Sequence, residues 1–389
     1  MQVVIVQAAL PSERRRLSDP SYPAVAAELA RRGHGVTLLV GAAPDKPEEE
    51  LLGGVQVVRA LAPREEPDLD AASVGRQCRA LRRALRRQRD SVVLFADAAG
   101  LPPALLAVDG ARARWIDLGY DWALSAFAGS HPWWTRWEGV GAFARLGARA
   151  AGAPIERPDA RAARFVVFDE ERWKSLLVRG LPVQSARVLT AGIDTRLFGY
   201  REPTIPTEGP VRLHHHGALR RSAGLNAVFL ALQRLPERVC LRLVADATES
   251  SYLAELAEIG RAAGVTGRVE VVPAPTDARS VALLREAHVF VHAAEESDPF
   301  PRRALEAASC GVPVVAASGT GDAVFAGGAL GGTFAPGNPL QLTERVSELL
   351  AAPAEAVRRC AAARREVEAR WGASYTADRI EPLLADSLR

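Results

Sequence analysis

The chain has 389 residues, of which 48% are apolar and 24% charged, and its formal net charge is +3. This length exceeds what one hydrophobic core usually serves, so two domains are expected. A nearly balanced charge argues against an obligate nucleic-acid-binding protein. The basic residues are almost all arginine, a composition typical of GC-rich genomes that we do not take as functional by itself.

The cysteines and the N-terminus bear on location. Cys78, Cys240, Cys310 and Cys360 are far apart and have no metal-type spacing, which favours reduced thiols in a cytoplasmic protein. The first residues, MQVVIVQAAL, lack the basic start of a signal peptide and are typical of a buried strand. No segment has the length and apolar character of a membrane span.

In the first half, short apolar runs alternate with helical patterns. A strand over Val3–Val6 precedes a helix over Tyr22–Arg32, which Gly33 ends, and a second strand over Val36–Val40. Further strands are predicted at Val55–Val58, Val92–Phe95, Arg114–Ile116 and Phe165–Phe168, with a helix over Ser73–Arg89. This alternation predicts a parallel sheet covered by helices on both faces.

The same pattern restarts after a linker. Residues Arg201–Pro210, REPTIPTEGP, contain three prolines and few apolar residues. Strands are predicted beyond it at Val211–His214, Val239–Val244, Val269–Val272, Val289–His292 and Val312–Ala316. The chain is therefore expected to form two α/β domains of similar size. Because open α/β sheets bind ligands at the carboxyl ends of their strands, the site is expected in a cleft between the domains.

One stretch of the second half contains several candidate ligand-binding residues. In EESDPFPRRALEAASCGVPVVAAS, Asp298 and Glu306 have seven residues between them. Pro301 suits the first position of a helix that continues through Arg302–Ser309, since proline has no N–H to lose there. The N-terminus of such a helix presents unpaired amides and partial positive charge to a phosphate. The two carboxylates would accept hydrogen bonds from the hydroxyls of an elongated ligand.

This stretch resembles the Glu-x7-Glu signature of retaining glycosyltransferases with the GT-B fold, most closely the family 4 group. Asp298 replaces the usual first glutamate, and Glu306 matches the second. Ala191–Phe198 resembles the Asn-Gly-Val-Asp-x-x-x-Phe segment before the second domain, Gly33–Val36 the Gly-His-x-Val at the second strand, and Trp371–Leu388 the last helix. The likeness spans most of the chain but is diffuse between residues 60 and 160.

The resemblance implies the fold and the reaction. Two Rossmann-like α/β domains would face each other across a cleft: an acceptor domain over 1–202, a donor domain over 203–368, and a C-terminal helix over 369–389 that packs back on the first domain. A glycosyl group would pass from a nucleotide diphosphate sugar to a hydroxyl with retention of configuration. Glu306 would hold the donor ribose and Asp298 the transferred hexose, beside Phe300, Pro301 and Arg302 at the start of the helix.

The basic residues expected at the diphosphate are displaced. The family's Gly-Arg-Leu-x-x-x-Lys-Gly corresponds to Gly217–Gly224, with Ala218 and Ala223 in place of the arginine and the lysine. Either Arg220 or Arg221 supplies the positive charge, with help from Arg302 or Arg303. The alternative is that Arg220 and Arg221 are both solvated loop residues. Gly319 and Gly321 match a glycine-rich loop that faces the donor, although a plain turn explains them equally well.

In the first domain the resemblance implies less. Asp117 takes the position after the fourth strand and contacts sugar or acceptor, or else it caps a turn. Trp133, Trp134 and Trp137, with Tyr120, form either an acceptor wall or a lid packed on the domain. The loop Pro11–Pro20 either binds the acceptor or only connects elements. The arginine-rich helix Arg76–Arg89 is interpreted as a solvated face rather than a contact with anionic lipid.

No metal or cofactor is expected. His214, His215 and His216 are neighbours on a strand, so they cannot converge on one ion, and Asp68 and Asp70 are explained by an acidic loop. The sequence predicts a cytoplasmic, metal-independent glycosyltransferase whose acceptor is a small molecule such as a natural product, or a cell-envelope lipid or polysaccharide. A non-catalytic nucleotide-sugar-binding protein and a sugar-nucleotide epimerase are the alternatives. An NAD enzyme is disfavoured, because no Gly-x-Gly-x-x-Gly follows the first strand.

Overall fold

The computed structural model describes residues 1–6, 22–43, 46–61, 80, 83–85, 91–95, 113–117, 163–167, 173–174, 186–189, 192–273, 275, 277–295, 301–319 and 332–386. The chain divides into two compact units. One contains the described residues up to Gly192 together with those from Thr376 onward, and the other runs from Ile193 to Tyr375. The assignment of acceptor and donor roles to domains stays a prediction.

The first unit is built on a mostly parallel sheet. Its elements are β1 (Gln2–Val6), α1 (Tyr22–Arg31), β2 (Gly35–Gly41), β3 (Glu49–Leu52), β4 (Val55–Leu61), β5 (Val92–Phe95), β6 (Ala113–Asp117), β7 (Ala163–Val167) and β8 (Ala186–Val188). The strand order is β3-β4-β2-β1-β5-β6-β7-β8. Strand β3 pairs antiparallel with β4, whereas β1 runs parallel to both β2 and β5. The apolar run in β1 is buried in the centre of this sheet, as predicted.

The second unit repeats this plan with a parallel sheet in the order β11-β10-β9-β12-β13-β14. Its elements are β9 (Val211–Leu219), α2 (Leu225–Arg234), β10 (Val239–Thr248), α3 (Ser250–Ala262), β11 (Val269–Pro273), α4 (Asp277–Arg285), β12 (Val289–His292), α5 (Arg302–Ser309), β13 (Val314–Ala317), β14 (Gly332–Phe334), α6 (Pro339–Ala351) and α7 (Pro353–Trp371). Leucine and valine side chains of β9, β10 and β12 form its core with α2 and α6.

The last helix, α8 (Ala373–Asp386), returns to the first unit. His34, just after α1, lies 2.5 Å from the carboxylate of Glu381, and Arg32 lies 2.7 Å from Asp378. These contacts join the two ends of the sequence. The predicted fold class, α/β with two Rossmann-like domains and a C-terminal helix that crosses back, is confirmed.

Several predicted strand limits were wrong, among them those of β9 and β13. Strand β9 continues through the three histidines to Leu219, because β10 pairs with it as far as Thr248. Strand β13 begins at Val314, two residues later than predicted, because Val312 still belongs to the turn after α5 and its N–H donates to Ala307 O. The correct limits depend on pairing partners, which the local sequence does not specify.

Candidate functional site

The second sheet reverses its strand order at one place. Strands β9 and β12 are neighbours, with β10 and β11 to one side and β13 and β14 to the other. In open parallel sheets this switch point leaves a crevice beyond the carboxyl ends of the two strands, where ligands bind. Helix α5 follows β12 and therefore stands beside that edge. The candidate site consists of the ends of β9, β10 and β12 and the first turns of α5.

The start of α5 differs slightly from the prediction. Pro301 has φ −73° and ψ 70°, so it caps the helix instead of occupying the first helical position, which belongs to Arg302. The reason is the ψ angle, which is not helical. The first amides of a helix have no partner within it and carry partial positive charge. The amide of Arg302 therefore remains a candidate to meet an anion, whereas Pro301 has no N–H to donate.

Glu306 lies one turn into α5 and is 1% exposed. Its Oε1 accepts a hydrogen bond from Nε of Arg302 at 2.6 Å, and its Oε2 accepts one from Nη1 of Arg303 at 3.0 Å. Burial opposes the charged form of Glu306, but the charges of Arg302 and Arg303 outweigh it and lower the pKa of this carboxyl. Glu306 is thus an ionised, buried acceptor with one arginine on each oxygen.

Arg303 joins this carboxylate to the neighbouring strand. Its Nη2 lies 3.1 Å from both oxygens of Asp246, and its Nε lies 3.3 Å from Oδ2. Asp246 lies at an irregularity of β10, where the register with β9 shifts between Ala245 and Ala247. A bulge of this kind re-aims a side chain, which explains how Asp246 reaches α5.

His216 completes the cluster from β9. Its Nε2 lies 2.9 Å from Oδ1 of Asp246. Burial lowers the pKa of His216, so the ring is neutral near pH 7 and Nε2 carries the proton that it donates to the carboxylate. Burial of Asp246 opposes its charge, but this hydrogen bond and the charge of Arg303 lower the pKa of Asp246 well below its usual range. Asp246 was not predicted from the sequence, although an acid at the carboxyl end of a predicted strand was the available signal.

The other end of α5 is fixed by the segment that leads into the second unit. Ser309 Oγ donates to Phe198 O at 2.7 Å, and Nη1 of Arg364 in α7 donates to Phe198 O at 2.8 Å and to Ser309 O at 3.0 Å. Gly311 follows with φ 87°, and a Cβ there would lie 2.2 Å from Arg201 O. Helix α5 is therefore held firmly at its C-terminal end.

The two arginines proposed for the diphosphate differ. Arg221 lies in a 3-10 turn and pairs with Glu255 of α3 at 2.5 Å. Arg220 precedes the turn and is exposed, and its side chain makes no hydrogen bond or ion pair within the described part of the chain. Gly217 lies in β9 opposite Ala245, at the edge where the site opens. Of the two, Arg220 is the side chain that is available to a ligand.

The turn after Arg220 is tightly packed. Gly224 has φ 65°, and a Cβ at this position would lie 2.0 Å from Ala293 O at the end of β12. The glycine therefore permits α2 to begin against the switch point. The first amide of α2, from Leu225, donates to the hydroxyl of Tyr252 at 3.2 Å. The N-terminus of α2 is accordingly capped by protein.

The three histidines of β9 have separate partners. His214 packs 5.8 Å from the ring of Phe290, His215 Nδ1 lies 3.1 Å from Val291 O, and His216 contacts Asp246. Because a carbonyl only accepts, Nδ1 of His215 carries the ring proton. Only His216 joins the cluster on α5.

Several predicted site residues lie outside the described residues: Asp298, Phe300, Gly321, Tyr120, Trp133, Trp134 and Trp137. Asp117 is the last residue of β6, at the carboxyl edge of the first sheet. Gly319 follows β13 with φ 87°, and a Cβ added there would meet no described atom within 4 Å. The roles of these residues stay predictions. In the part of the chain that the structure describes, no helix has the length and apolar content to cross a membrane.

Solved structures share this fold along nearly the whole chain. Sucrose-phosphate synthase from Thermosynechococcus elongatus superposes with a TM-score of 0.71 at 16% identity, over 99% of this chain and 98% of its own. Anabaena Alr3699/HepE, solved in complex with UDP-glucose, gives a TM-score of 0.70 at 16% identity, over 99% and 100% of the two chains. The lipopolysaccharide glycosyltransferase WaaG gives 0.63 at 14% identity, over 98% and 99%. The fold is that of GT-B glycosyltransferases.

The sequence of the second unit agrees. Residues 211–352, which contain β9, Asp246 and α5, match the family model described as "Glycosyl transferases group 1". A comparison with curated proteins finds no match. The resemblance seen in the sequence to family 4-like GT-B glycosyltransferases is confirmed by this match over the second unit and by the fold of the chain.

Proposed function

We propose that this chain transfers a sugar from a nucleotide diphosphate sugar to a hydroxyl acceptor, with retention of anomeric configuration and without a metal ion. The observation that carries the proposal is Glu306, a buried, ionised carboxylate held by two arginines at the start of α5, beside the switch point of a sheet of the glycosyl transferases group 1 type. A carboxylate there suits the paired hydroxyls of a ribose, and the adjacent cations suit a diphosphate.

Donor binding requires an exchange at Glu306. Both of its oxygens are occupied, but the two arginines are held differently: Arg303 is also bound to Asp246, whereas Arg302 is bound to Glu306 and lies nearer the N-terminus of α5. Arg302 turns toward the diphosphate, and the ribose hydroxyls take its place on Oε1. Arg220 meets the phosphates from β9. These two arginines take over from the family's arginine and lysine, which are Ala218 and Ala223 here.

The chemistry then consists of positioning and charge stabilisation. The bond between the anomeric carbon and the diphosphate oxygen breaks, and the bond to the acceptor oxygen forms on the same face. The acceptor proton passes to the departing diphosphate, so no protein nucleophile is needed. Arg220 and Arg302 stabilise the charge that develops on phosphate. Asp298 and Asp117 orient the transferred sugar or the acceptor hydroxyl, and Gly319 allows the close approach of backbone to the donor.

The proposed acceptor is a small molecule such as a natural product, and a cell-envelope lipid or polysaccharide is the alternative. The tryptophans at 133, 134 and 137 supply flat faces for stacking on either. UDP-glucose is the first donor to test, because Alr3699/HepE has been solved with it.

A binding experiment with matched variants tests the proposal. Thermal unfolding is followed with UDP, GDP, dTDP and ADP sugars, since a ligand that binds the folded form raises stability by about 2.7 kcal/mol at a hundred times its Kd. We expect one nucleotide class to raise Tm. Glu306→Gln, which keeps the shape but not the charge, should abolish the increase, while Glu255→Gln, which removes the partner of Arg221, should preserve it.

Turnover separates transfer from binding alone. With a hydroxyl acceptor we expect nucleoside diphosphate release and a product of unchanged anomeric configuration by NMR, unaffected by EDTA. Release without an acceptor, with isomerisation of the donor, would indicate an epimerase. Absence of a Tm change with every donor, or an equal change in Glu306→Gln, would overturn the proposal.

A further inference from the structure

The cluster contains a pair that the proposed reaction does not itself use. Asp246 and Arg303 come from different elements, β10 and α5, and meet through a fork in which Nη2 lies 3.1 Å from each carboxylate oxygen. Their side chains are 22% and 24% exposed, so the pair lies at the mouth of the site and outside the apolar core. A partly buried ion pair is weak evidence of stabilisation, because desolvation offsets much of the attraction.

We infer that Asp246 and Arg303 are positioning residues that hold Glu306 in the orientation needed to bind the ribose of the donor. This inference rests on the proposed function. Its basis is the juxtaposition: a single guanidinium contacts Asp246 through Nε and Nη2 and Glu306 through Nη1. The two carboxylates are thus joined by one rigid, planar group.

The geometry explains why both partners are needed. An arginine on a helix has several rotatable bonds, and holding it in one position costs rotamer entropy. Binding at two points to Asp246 removes this freedom before the donor arrives and places Nη1 3.0 Å from Oε2 of Glu306. The carboxylate of Glu306 then keeps its plane when Arg302 leaves Oε1. Without Asp246, Arg303 would follow the anionic diphosphate and release Glu306.

Asp246 is itself fixed by a second partner, on β9. His216 Nε2 donates to Oδ1 at 2.9 Å, and His216 is only 3% exposed in β9. The bulge in β10 turns Asp246 toward α5. A chain of contacts therefore runs from the central strand of the sheet through Asp246 and Arg303 to the carboxylate that meets the donor.

The test compares ligands that differ only in the ribose hydroxyls. Affinities for the nucleoside diphosphate and for its 2′,3′-dideoxy analogue are measured by isothermal titration calorimetry in wild type, Asp246→Asn and Glu270→Gln. Glu270 on β11 pairs with buried Arg242 on β10, so its variant removes an acid from an arginine in the same sheet but away from the site. We expect wild type to prefer the ribonucleotide by roughly tenfold or more, as lost charge-assisted hydrogen bonds should.

In Asp246→Asn the preference for the ribonucleotide should fall to about twofold or less, while the affinity for the dideoxy analogue stays within about twofold of wild type. Glu270→Gln should keep the full preference. Equal weakening of both ligands would show a merely structural pair and overturn the inference. If Asp246→Asn does not fold, Arg303→Lys tests the same point, because lysine keeps the charge but loses the fork. A full preference in Arg303→Lys would also overturn it.

Failure of the proposed function would look different. In that case wild type itself would bind no nucleoside diphosphate, or would bind both analogues equally. If only the positioning role is wrong, wild type still prefers the ribonucleotide, and Asp246→Asn shows the same preference. The two results cannot be confused.

Discussion

Two adjacent arginines, Arg220 and Arg221, offer a sharp test of how the diphosphate is held. Both lie in the segment where the family's basic residues are missing. Arg221 is paired with Glu255 at 2.5 Å, and 71% of its side chain is exposed. Arg220 is exposed at the end of β9, next to the switch point. We expect Arg220→Ala to weaken binding of a nucleoside diphosphate, and Arg221→Ala to leave it nearly unchanged.

The magnitudes follow from the surroundings of each side chain. A hydrogen bond between charged partners contributes about 1.5–3 kcal/mol, equivalent to roughly 10- to 150-fold in Kd. Because Arg220 is exposed and screened by solvent, the lower end applies, about tenfold. An exposed ion pair such as that of Arg221 with Glu255 is worth about 0–1 kcal/mol, and it affects stability rather than the ligand.

The assay is isothermal titration calorimetry with the nucleoside diphosphate, together with NMR titration of the free nucleoside. The loss in Arg220→Ala should be confined to the diphosphate, because the arginine contacts phosphate and not the base or ribose. An equal loss for nucleoside and diphosphate would indicate a distorted site. A larger loss in Arg221→Ala than in Arg220→Ala would refute the assignment, since it would mean that the Glu255 pair opens for the ligand.

Two further predictions concern stability. Measured by urea denaturation, Gly224→Ala should lower the free energy of unfolding by about 2 kcal/mol or more beyond the loss in Gly209→Ala. Both glycines have positive φ, but only at Gly224 would a Cβ meet a carbonyl oxygen, at 2.0 Å. Equal losses in the two variants would contradict this. Burial lowers the pKa of His215 and of His292 to about 4, below the unfolded value of about 6.5. Between pH 6.5 and 4 the unfolded chain therefore binds protons that the folded chain does not, so stability should fall on acidification by up to about 3 kcal/mol per histidine. A flat stability between pH 6.5 and 5, where most carboxylates stay ionised, would contradict this.

The sequence predicted the elements of the fold where the signal was local. Short apolar runs between turns located β5 and β12 to the residue, because a strand that is buried on both faces reads as an uninterrupted apolar run. Strand β3 was missed. It is an edge strand, Glu49–Leu52, with two acids and exposed Leu51 and Leu52, so neither a continuous run nor a clean alternation marks it.

The site was predictable to the extent that it follows one contiguous motif. Glu306 was selected by its spacing from Asp298, and Arg302 by its place at the start of α5; the structure places Glu306 and Arg302 together at 2.6 Å. Asp246 and His216 were not selected, because they reach α5 only through the pairing of β9 with β10 and the shift of register beside Asp246. Contacts between residues 57 positions apart depend on such details. Likewise, only the pair with Glu255 distinguishes Arg221 from Arg220.

The charge balance of the cluster around Glu306 determines which ligands the proposed donor site selects. Arg302 and Arg303 neutralise Glu306 and Asp246, and His216 is uncharged, so the described cluster is close to neutral before a ligand binds. A diphosphate brings negative charge that this cluster alone does not match, since each of its cations already has a carboxylate. Arg220 supplies one uncommitted cation, and the ribose frees a second by replacing Arg302 on Glu306. On this proposal a nucleoside without phosphates offers no anion to the Arg302 that its ribose releases. A diphosphate without ribose hydroxyls offers no group that replaces Arg302 on Glu306. The site therefore selects for ligands that carry both.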